Sequence, residues 1–192
     1  MPERLTEIFD LAITPSLERH AKIAACQYVS PMLEAAEEFR IFSESSSIAN
    51  TEGLARILES PNAVEPDTGK YTASAFMEAT RRGISTQRIG MTTERAIHEF
   101  GETRVSTHNE KSPEKPRTYL GYTVGIVSMF RSATAPDGRR LFGVFSTPEP
   151  ELEHADIFVV VKPDKALKMA IQRVFYDAFK IEQAIIPQSV TA

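Results

Sequence analysis

The sequence contains a single cysteine, Cys26, which excludes a fold that depends on an internal disulfide. Cys26 lies among small and apolar residues in AKIAACQYV, a setting typical of a buried, inert thiol rather than of a nucleophile. No apolar run approaches the ~20 residues that are needed to span a bilayer. The acidic start MPERLTEIFD lacks the apolar core of a signal peptide. We therefore expect a cytoplasmic protein with no membrane contact.

Basic charge is also scarce, since the net charge is -4 and the pI is near 5.7. This balance disfavours a nucleic-acid footprint that covers the whole chain, although a local basic patch is compatible with it. No pair of the four histidines has the spacing of metal ligands; they are His20, His98, His108 and His154. The Gly-x-Ser-x-Gly elbow and the dinucleotide fingerprint are missing as well. We expect no metal and no cofactor.

The first 43 residues have the apolar spacing of three short amphipathic helices. Two Ser/Thr-Pro pairs, at Thr14-Pro15 and Ser30-Pro31, are typical of helix starts and separate them. The polar segment SESSSIAN follows and is the best boundary in the chain. We predict a helical extension over residues 1–43 and an α+β domain over residues 51–186.

The middle of the chain gives weaker patterns. Leu54, Ile57 and Leu58 have the spacing of a short helix, and ISTQRIG is typical of a short strand. Thr92 is placed to cap a further helix that would end at Gly101. The polar stretch ETRVSTHNEKSPEKPR then predicts an exposed loop.

The last third of the sequence predicts three strands followed by a helix. TYLGYTVGIVSMF and RLFGVFS flank the turn APDGRR, so they are expected to form an antiparallel hairpin. DIFVVV has no polar alternation and is expected to be a third strand, either buried on both faces or central in the sheet. Asp164 can cap a final helix with a broad apolar stripe. The order of elements indicates an α+β fold in which a small antiparallel sheet is covered by the C-terminal helix.

His154 and Asp156 are the candidate catalytic residues. They are two apart in an extended segment, so their side chains share a face and could position an imidazole for acid–base chemistry. The competing interpretation, a polar entrance to a strand, is preferred because single residues are weak indicators of catalysis. Arg131 and Ser85 are the candidate substrate-binding residues. An arginine at a strand end can hold a phosphate, although an internal ion pair is the preferred interpretation.

Several short motifs resemble those of a loosely defined group of small uncharacterised bacterial proteins. The motifs are LARILESPNAVEPDTGKYTASAF, RRGISTQRIG, YTVGIVSMFRSA and TPEPELEHADIFVVVK, between Leu54 and Lys168. Within them, a Ser-x-Ala-Phe element begins at Ser74 and a His-Ala element begins at His154. The resemblance implies a bacterial origin and a shared fold, and it gives His154 more weight. It implies no reaction.

The first functional hypothesis is a bacterial cytoplasmic protein with an interaction or regulatory role. It would be an accessory of a larger assembly, or of a defence or toxin-antitoxin type system. Its partner would be another protein or a second copy of the chain. The N-terminal helices would hold that partner, because their stripes contain Phe9, Phe39 and Phe42, the kind of side chain that anchors interfaces.

The second hypothesis is a small metal-independent enzyme that acts on a nucleotide, RNA or another phosphate-bearing substrate. In it, His154 is the acid–base group and Asp156 orients it. Arg131 clamps the phosphate, and Ser85 assists. This hypothesis requires that His154 and Arg131 face the same pocket.

Overall fold

A five-stranded antiparallel sheet with helices on both faces forms the body of the chain in a computed structural model. The predicted α+β class is confirmed. The structure describes residues 3–10, 14, 16–26, 28, 30–42, 44–61, 63, 65, 72–148 and 151–179. Residues 62, 64, 66–71, 149–150 and 180–186 of the predicted α+β domain lie outside this set. The strands, which follow the spatial order β3-β1-β2-β5-β4, are β1 (Gly53–Glu59), β2 (Ile84–Arg88), β3 (Tyr119–Ile126), β4 (Phe142–Ser146) and β5 (His154–Val159).

Within the described residues, six α-helices and two short 3₁₀ helices surround the sheet. They are α1 (Glu3–Phe9), α2 (Ser16–Ala25), α3 (Ser30–Glu38), α4 (Glu94–Lys111), α5 (Val127–Ser132), α6 (Lys165–Ala178) and the 3₁₀ helices Ala73–Thr80 and Ile89–Met91. As predicted, Asp164 caps α6, because its side chain accepts a hydrogen bond from the Leu167 amide at 2.8 Å. The cap of α4 is Thr93, one residue beyond the predicted Thr92.

One face of the sheet is covered by α6, α5 and the first 3₁₀ helix. Five phenylalanine rings fill the space between them and the strands: Phe76, Phe130, Phe142, Phe175 and Phe179. The closest ring pair, Phe142 and Phe175, has its centroids 5.0 Å apart in an edge-on arrangement. Each buried phenylalanine contributes roughly 1.5–3 kcal/mol of transfer free energy. The predicted covering of the sheet by the C-terminal helix is confirmed.

The N-terminal helices cover part of the opposite face. Phe9 of α1 is fully buried, with its ring centroid 5.8 Å from that of Phe145 on β4 and 5.7 Å from that of Phe158 on β5. These helices therefore share one hydrophobic cluster with the sheet. Cys26 packs against the same cluster but is only partly buried, contrary to the expectation of a buried thiol.

Helix α4 covers the rest of this face, over β1 and β3, and it corrects two predictions. The segment predicted as a loop, residues 102–117, is helical as far as Lys111. The prediction failed because only a narrow stripe that includes Ile97 and Val105 is buried, so most of the helix surface is polar. Gly101 does not end the helix. Gly101 lies inside α4, where a Cβ would collide with the ring of Tyr119. The glycine therefore serves the close packing of the helix on β3.

Two strand predictions also need correction. Leu54, Ile57 and Leu58 belong to β1, which lies between two other strands and is buried on both faces. Such a strand shows no polar alternation, so its apolar spacing imitated that of a helix. The predicted hairpin is wrong as well, because β3 and β4 lie at opposite edges of the sheet. The prediction of a buried or central strand at DIFVVV is confirmed for residues 156–159, which belong to β5 and lie between β2 and β4; Val160 and Val161 follow the strand.

Candidate functional site

The sheet opens between β1 and β2, and this opening forms the site. The two strands pair only at Leu54–Arg88 and Ala55–Gln87. Beyond that point Arg56 lies between them, and its Nη1 donates to the Ser85 carbonyl oxygen at 3.1 Å. The guanidinium therefore satisfies a backbone acceptor of β2 that strand pairing leaves open.

Two cavities, of about 350 and 230 Å³, adjoin this opening and share Arg56, Glu78, Arg82 and Arg104 in their walls. We call the two cavities together the arginine groove. Among the described residues, its charged side chains are six arginines and three carboxylates, namely Arg19, Arg56, Arg81, Arg82, Arg104, Arg117, Glu59, Glu78 and Asp156. The groove thus carries an excess of positive charge in a chain whose net charge is -4.

Each glutamate of the groove is shared by two arginines. Glu59 accepts from Arg104 Nε at 2.5 Å and from Arg117 Nη1 at 2.6 Å. Burial alone would raise the pKa of Glu59, but the two guanidinium groups outweigh it and hold that pKa below its usual range. Two guanidinium groups therefore share the single carboxylate of Glu59.

Glu78 has the same arrangement on the other side of the opening. It pairs with Arg56 and with Arg82, whose Nε lies 2.8 Å from Oε2. Burial raises the pKa of Glu78, and the nearby Arg56 and Arg82 lower it by more, so its net direction is downward. The Arg56 side chain is only 10% exposed, which makes this a largely desolvated ion pair.

The turn before β2 brings Arg82 and Ser85 to the same cavity. Gly83, between them, adopts a φ of +81°, a conformation that side chains with a Cβ rarely take. A Cβ at this position would also lie 2.9 Å from the ring of Phe158. The glycine is therefore required both for the turn and for the close approach of β2 to the ring.

Ser85 and His154 are in direct contact. Ser85 Oγ lies 2.5 Å from His154 Nε2, although the two residues are 69 positions apart in the sequence. The antiparallel register of β2 and β5 causes this, because Ser85 pairs with Asp156 and Gln87 with His154. Ser85 is half-buried at the wall of the 230 Å³ cavity, while the His154 side chain is only 9% exposed.

The second ring nitrogen of His154 is held by Thr147. Nδ1 lies 2.9 Å from the Thr147 carbonyl oxygen and 2.9 Å from its Oγ1. A carbonyl oxygen accepts and cannot donate, so Nδ1 carries the hydrogen. In the neutral imidazole the Nε2 lone pair then accepts the hydrogen of the Ser85 hydroxyl. This is the arrangement of a hydroxyl and its general base.

Asp156 completes the chain of hydrogen bonds through Thr147. Thr147 Oγ1 donates to Asp156 Oδ2 at 3.1 Å, whereas His154 Nδ1 is 4.0 Å from the same oxygen. In this geometry Asp156 contacts His154 indirectly, through the Thr147 hydroxyl. Burial raises the pKa of Asp156, against the smaller opposing effects of His154, Thr147, Arg19 and Arg56.

We expect Asp156→Asn to stabilise the fold. The raised pKa of Asp156 means that the folded state holds its proton more tightly, so the carboxylate costs stability once the pH exceeds its ordinary value of 3.8. Asparagine removes that cost and keeps an acceptor for Thr147. The gain should be about 1 kcal/mol at pH 8. Urea denaturation at pH 8 and at pH 4.5 would measure it; a gain that grows as the pH falls would contradict the assignment.

Arg131 is the one predicted site residue that lies elsewhere. It belongs to α5 and pairs with the buried Glu37 of α3, Nε to Oε2, at 3.1 Å. Its Nη1 also donates to the Ile48 carbonyl at 2.9 Å and to Asn50 Oδ1 at 2.8 Å. Arg131 lines a third cavity, of about 540 Å³, which does not include His154. The ion-pair interpretation of Arg131 is confirmed.

The groove arginines are candidate site residues that the sequence analysis did not single out. Arg56 lay in a segment predicted as helical, and Arg104 and Arg117 lay in the predicted loop. The pair Arg81-Arg82, directly before Gly83, was the only visible sign of the groove. Their convergence depends on pairing between distant strands, which the spacing along the chain does not encode.

Within the described part of the chain, no group of three histidine, cysteine or acidic side chains could hold a metal ion. Among the helices of those same residues, none is long and apolar enough to cross a membrane.

Comparison of the chain with protein-family models, with curated proteins and with solved structures gave no significant match, so the function has to be inferred from the geometry of the arginine groove.

Proposed function

We propose that the chain binds a phosphate-bearing ligand, such as a nucleotide or an RNA end, in the arginine groove. The observation that carries the proposal is the ratio of charges: among the residues that the structure describes, six arginines and three carboxylates line the two joined cavities. A structural ion-pair network is neutralised when its charges match in number. The surplus here favours an anionic ligand that completes the balance.

Arginine makes phosphate the best-fitting anion. Its planar guanidinium has five donors, and a shared carboxylate occupies only some of them. Arg82 illustrates this, since it offers Nε and Nη2 to a single carboxylate oxygen of Glu78 and is about half exposed. Arg81, at the wall of the larger cavity, has no ion pair among the described residues. These donors are available to the oxygens of a phosphate.

The groove is a better-supported binding surface than the N-terminal helices. Phe9 is fully buried, and Phe39 and Phe42 pack against the same cluster, so these side chains already serve the fold. A regulatory or accessory role in the bacterial cytoplasm is compatible with the groove if the regulated event is binding of a phosphate-bearing ligand.

Replacement of Arg82 tests the proposal. Arg82→Ala should weaken binding of inorganic pyrophosphate at least tenfold, about 1.4 kcal/mol, because it removes a charge-assisted donor. The fold should change little, since Glu78 keeps its pair with Arg56. Isothermal titration calorimetry on the full chain would give both the affinity and the stoichiometry.

Arg95→Ala is the matched control. Arg95 lies on α4 like Arg104, but its side chain is 87% exposed, pairs with Glu99, and does not line the groove. Pyrophosphate affinity should stay unchanged in this variant. Equal losses in the two variants would indicate nonspecific attraction, and the absence of pyrophosphate binding to the unmodified chain would refute the proposal.

A further inference from the structure

We infer that Ser85 is a nucleophile and His154 its general base, and that the pair cleaves a phosphate ester bound in the arginine groove. The inference rests on the proposed function and adds a reaction to it. Its basis is the contact of Ser85 Oγ with His154 Nε2, at the wall of a cavity that Arg56, Arg82 and Arg104 also line.

The hydrogen-bond chain gives the imidazole the tautomer that a base requires. Thr147 accepts at Nδ1 through its carbonyl and its hydroxyl, each at 2.9 Å. The Thr147 hydroxyl in turn donates to Asp156 at 3.1 Å. His154 is thereby fixed with its lone pair toward Ser85, and positive charge that develops on the ring is stabilised through Thr147 by Asp156.

The proposed reaction proceeds in two displacements. In the first, Ser85 Oγ attacks phosphorus, the Oγ–P bond forms, and the bond from phosphorus to the leaving oxygen breaks. The serine proton passes to His154 Nε2 and then to the leaving alcohol. In the second, water attacks the phosphoserine, gives its proton to His154, and Ser85 recovers a proton as phosphate departs. The sum is hydrolysis of a phosphate ester to an alcohol and phosphate.

The arginines supply the electrostatic part of this reaction without a metal ion. The transition state of phosphoryl transfer carries its charge on the equatorial oxygens, and fixed guanidinium groups stabilise that charge. Arg56 Nη1 donates a hydrogen bond to the backbone carbonyl oxygen of Ser85 at 3.1 Å, so the position of the guanidinium is fixed relative to the nucleophile. The excess of positive charge in the groove is therefore adjacent to the reacting hydroxyl.

Labelling with diisopropyl fluorophosphate tests the nucleophile. Attack by Ser85 forms an Oγ–P bond, expels fluoride and transfers the serine proton to His154. Mass spectrometry of the digested chain should place the adduct on Ser85. The adduct should be missing in Ser85→Ala and persist in Ser128→Ala, which alters an exposed serine of the third cavity. Saturating pyrophosphate should slow the labelling at least tenfold.

The outcomes separate this inference from the proposed function. If pyrophosphate binds but Ser85 is not labelled, the groove binds phosphate and the nucleophile assignment is wrong. If Ser85 is labelled but pyrophosphate gives no protection, the serine does not lie in a phosphate site and the inference is overturned. If pyrophosphate does not bind and Ser85 is not labelled, both proposals fail.

Thr147 is a positioning residue in this scheme. Thr147→Val removes the hydroxyl that links His154 to Asp156 and keeps the backbone carbonyl. We expect Ser85 to be labelled at least tenfold more slowly while the affinity for pyrophosphate stays the same. If the role of Thr147 were purely structural, Thr147→Val would lower both the labelling rate and the pyrophosphate affinity, or neither of them.

Discussion

Glu37→Ala should destabilise the protein by about 3–5 kcal/mol, because it leaves the buried guanidinium of Arg140 and the partly buried one of Arg131 without a counterion. The Glu37 carboxylate is only 3% exposed and lies 2.6 Å from Arg140 Nη2 and 3.1 Å from Arg131 Nε. It also accepts a hydrogen bond from the Val144 amide at 2.8 Å. Val144 is on β4, an edge strand. The Glu37 carboxylate therefore satisfies a backbone N–H at the sheet edge that has no neighbouring strand among the described residues to accept from it.

Urea denaturation of the full chain would measure this effect, with Glu38→Ala as the control. Glu38 is the next residue of α3 and is exposed, so its replacement should change the free energy of unfolding by less than about 0.5 kcal/mol. A difference below about 1 kcal/mol between the two variants would show that Glu37 is dispensable. Such a result would also remove the reason for placing Arg131 in an ion pair rather than in a ligand site.

The parts of the site that are local in sequence could be predicted, and those that depend on strand pairing could not. His154 and Asp156 share a face because alternate residues of any strand do. Ser85 joins them through the register of β2 against β5. That register is set by packing across the whole sheet and has no counterpart in the spacing of residues along the chain.

The assignment of Arg131 to substrate binding depended on an error in the predicted secondary structure. The sequence TYLGYTVGIVSMF continues as an apolar run, which predicts that Arg131 follows a single long strand. In the structure β3 ends at Ile126 and α5 begins at Val127. The change from strand to helix places Arg131 on α5, beside Glu37. The opposite error, a buried strand whose apolar spacing predicted a helix, concealed Arg56.

Glu78→Gln should have opposite effects on stability and on ligand binding. Glu78 neutralises Arg56 and Arg82, and the Arg56 side chain is almost fully buried. Loss of the carboxylate should cost about 2–3 kcal/mol, less than at Glu37, because the Glu78 side chain is 22% exposed and solvent screens part of the interaction. Binding of pyrophosphate should become about tenfold tighter, because two guanidinium groups are released from an internal competitor.

The loss of stability in Glu78→Gln should depend on pH in a direction that can be checked. The pKa of Glu78 is lowered in the folded state, so its stabilising contribution is present above the ordinary value of 4.5 and is lost as the pH falls through the lowered pKa. The stability difference between the unmodified chain and Glu78→Gln should therefore be full at pH 7.5 and decline below pH 4.5.

Paired titrations in urea and with pyrophosphate at pH 7.5 would test both effects. Glu99→Gln serves as the control, since Glu99 is exposed, pairs with Arg95 and lies outside the groove walls. Ligand binding should restore part of the stability of Glu78→Gln, by RT ln(1 + [L]/Kd). A variant that is destabilised and binds pyrophosphate no more tightly would mean that the groove arginines serve only the fold. Tighter binding in a less stable protein would mean that the carboxylate occupies the place of a ligand anion.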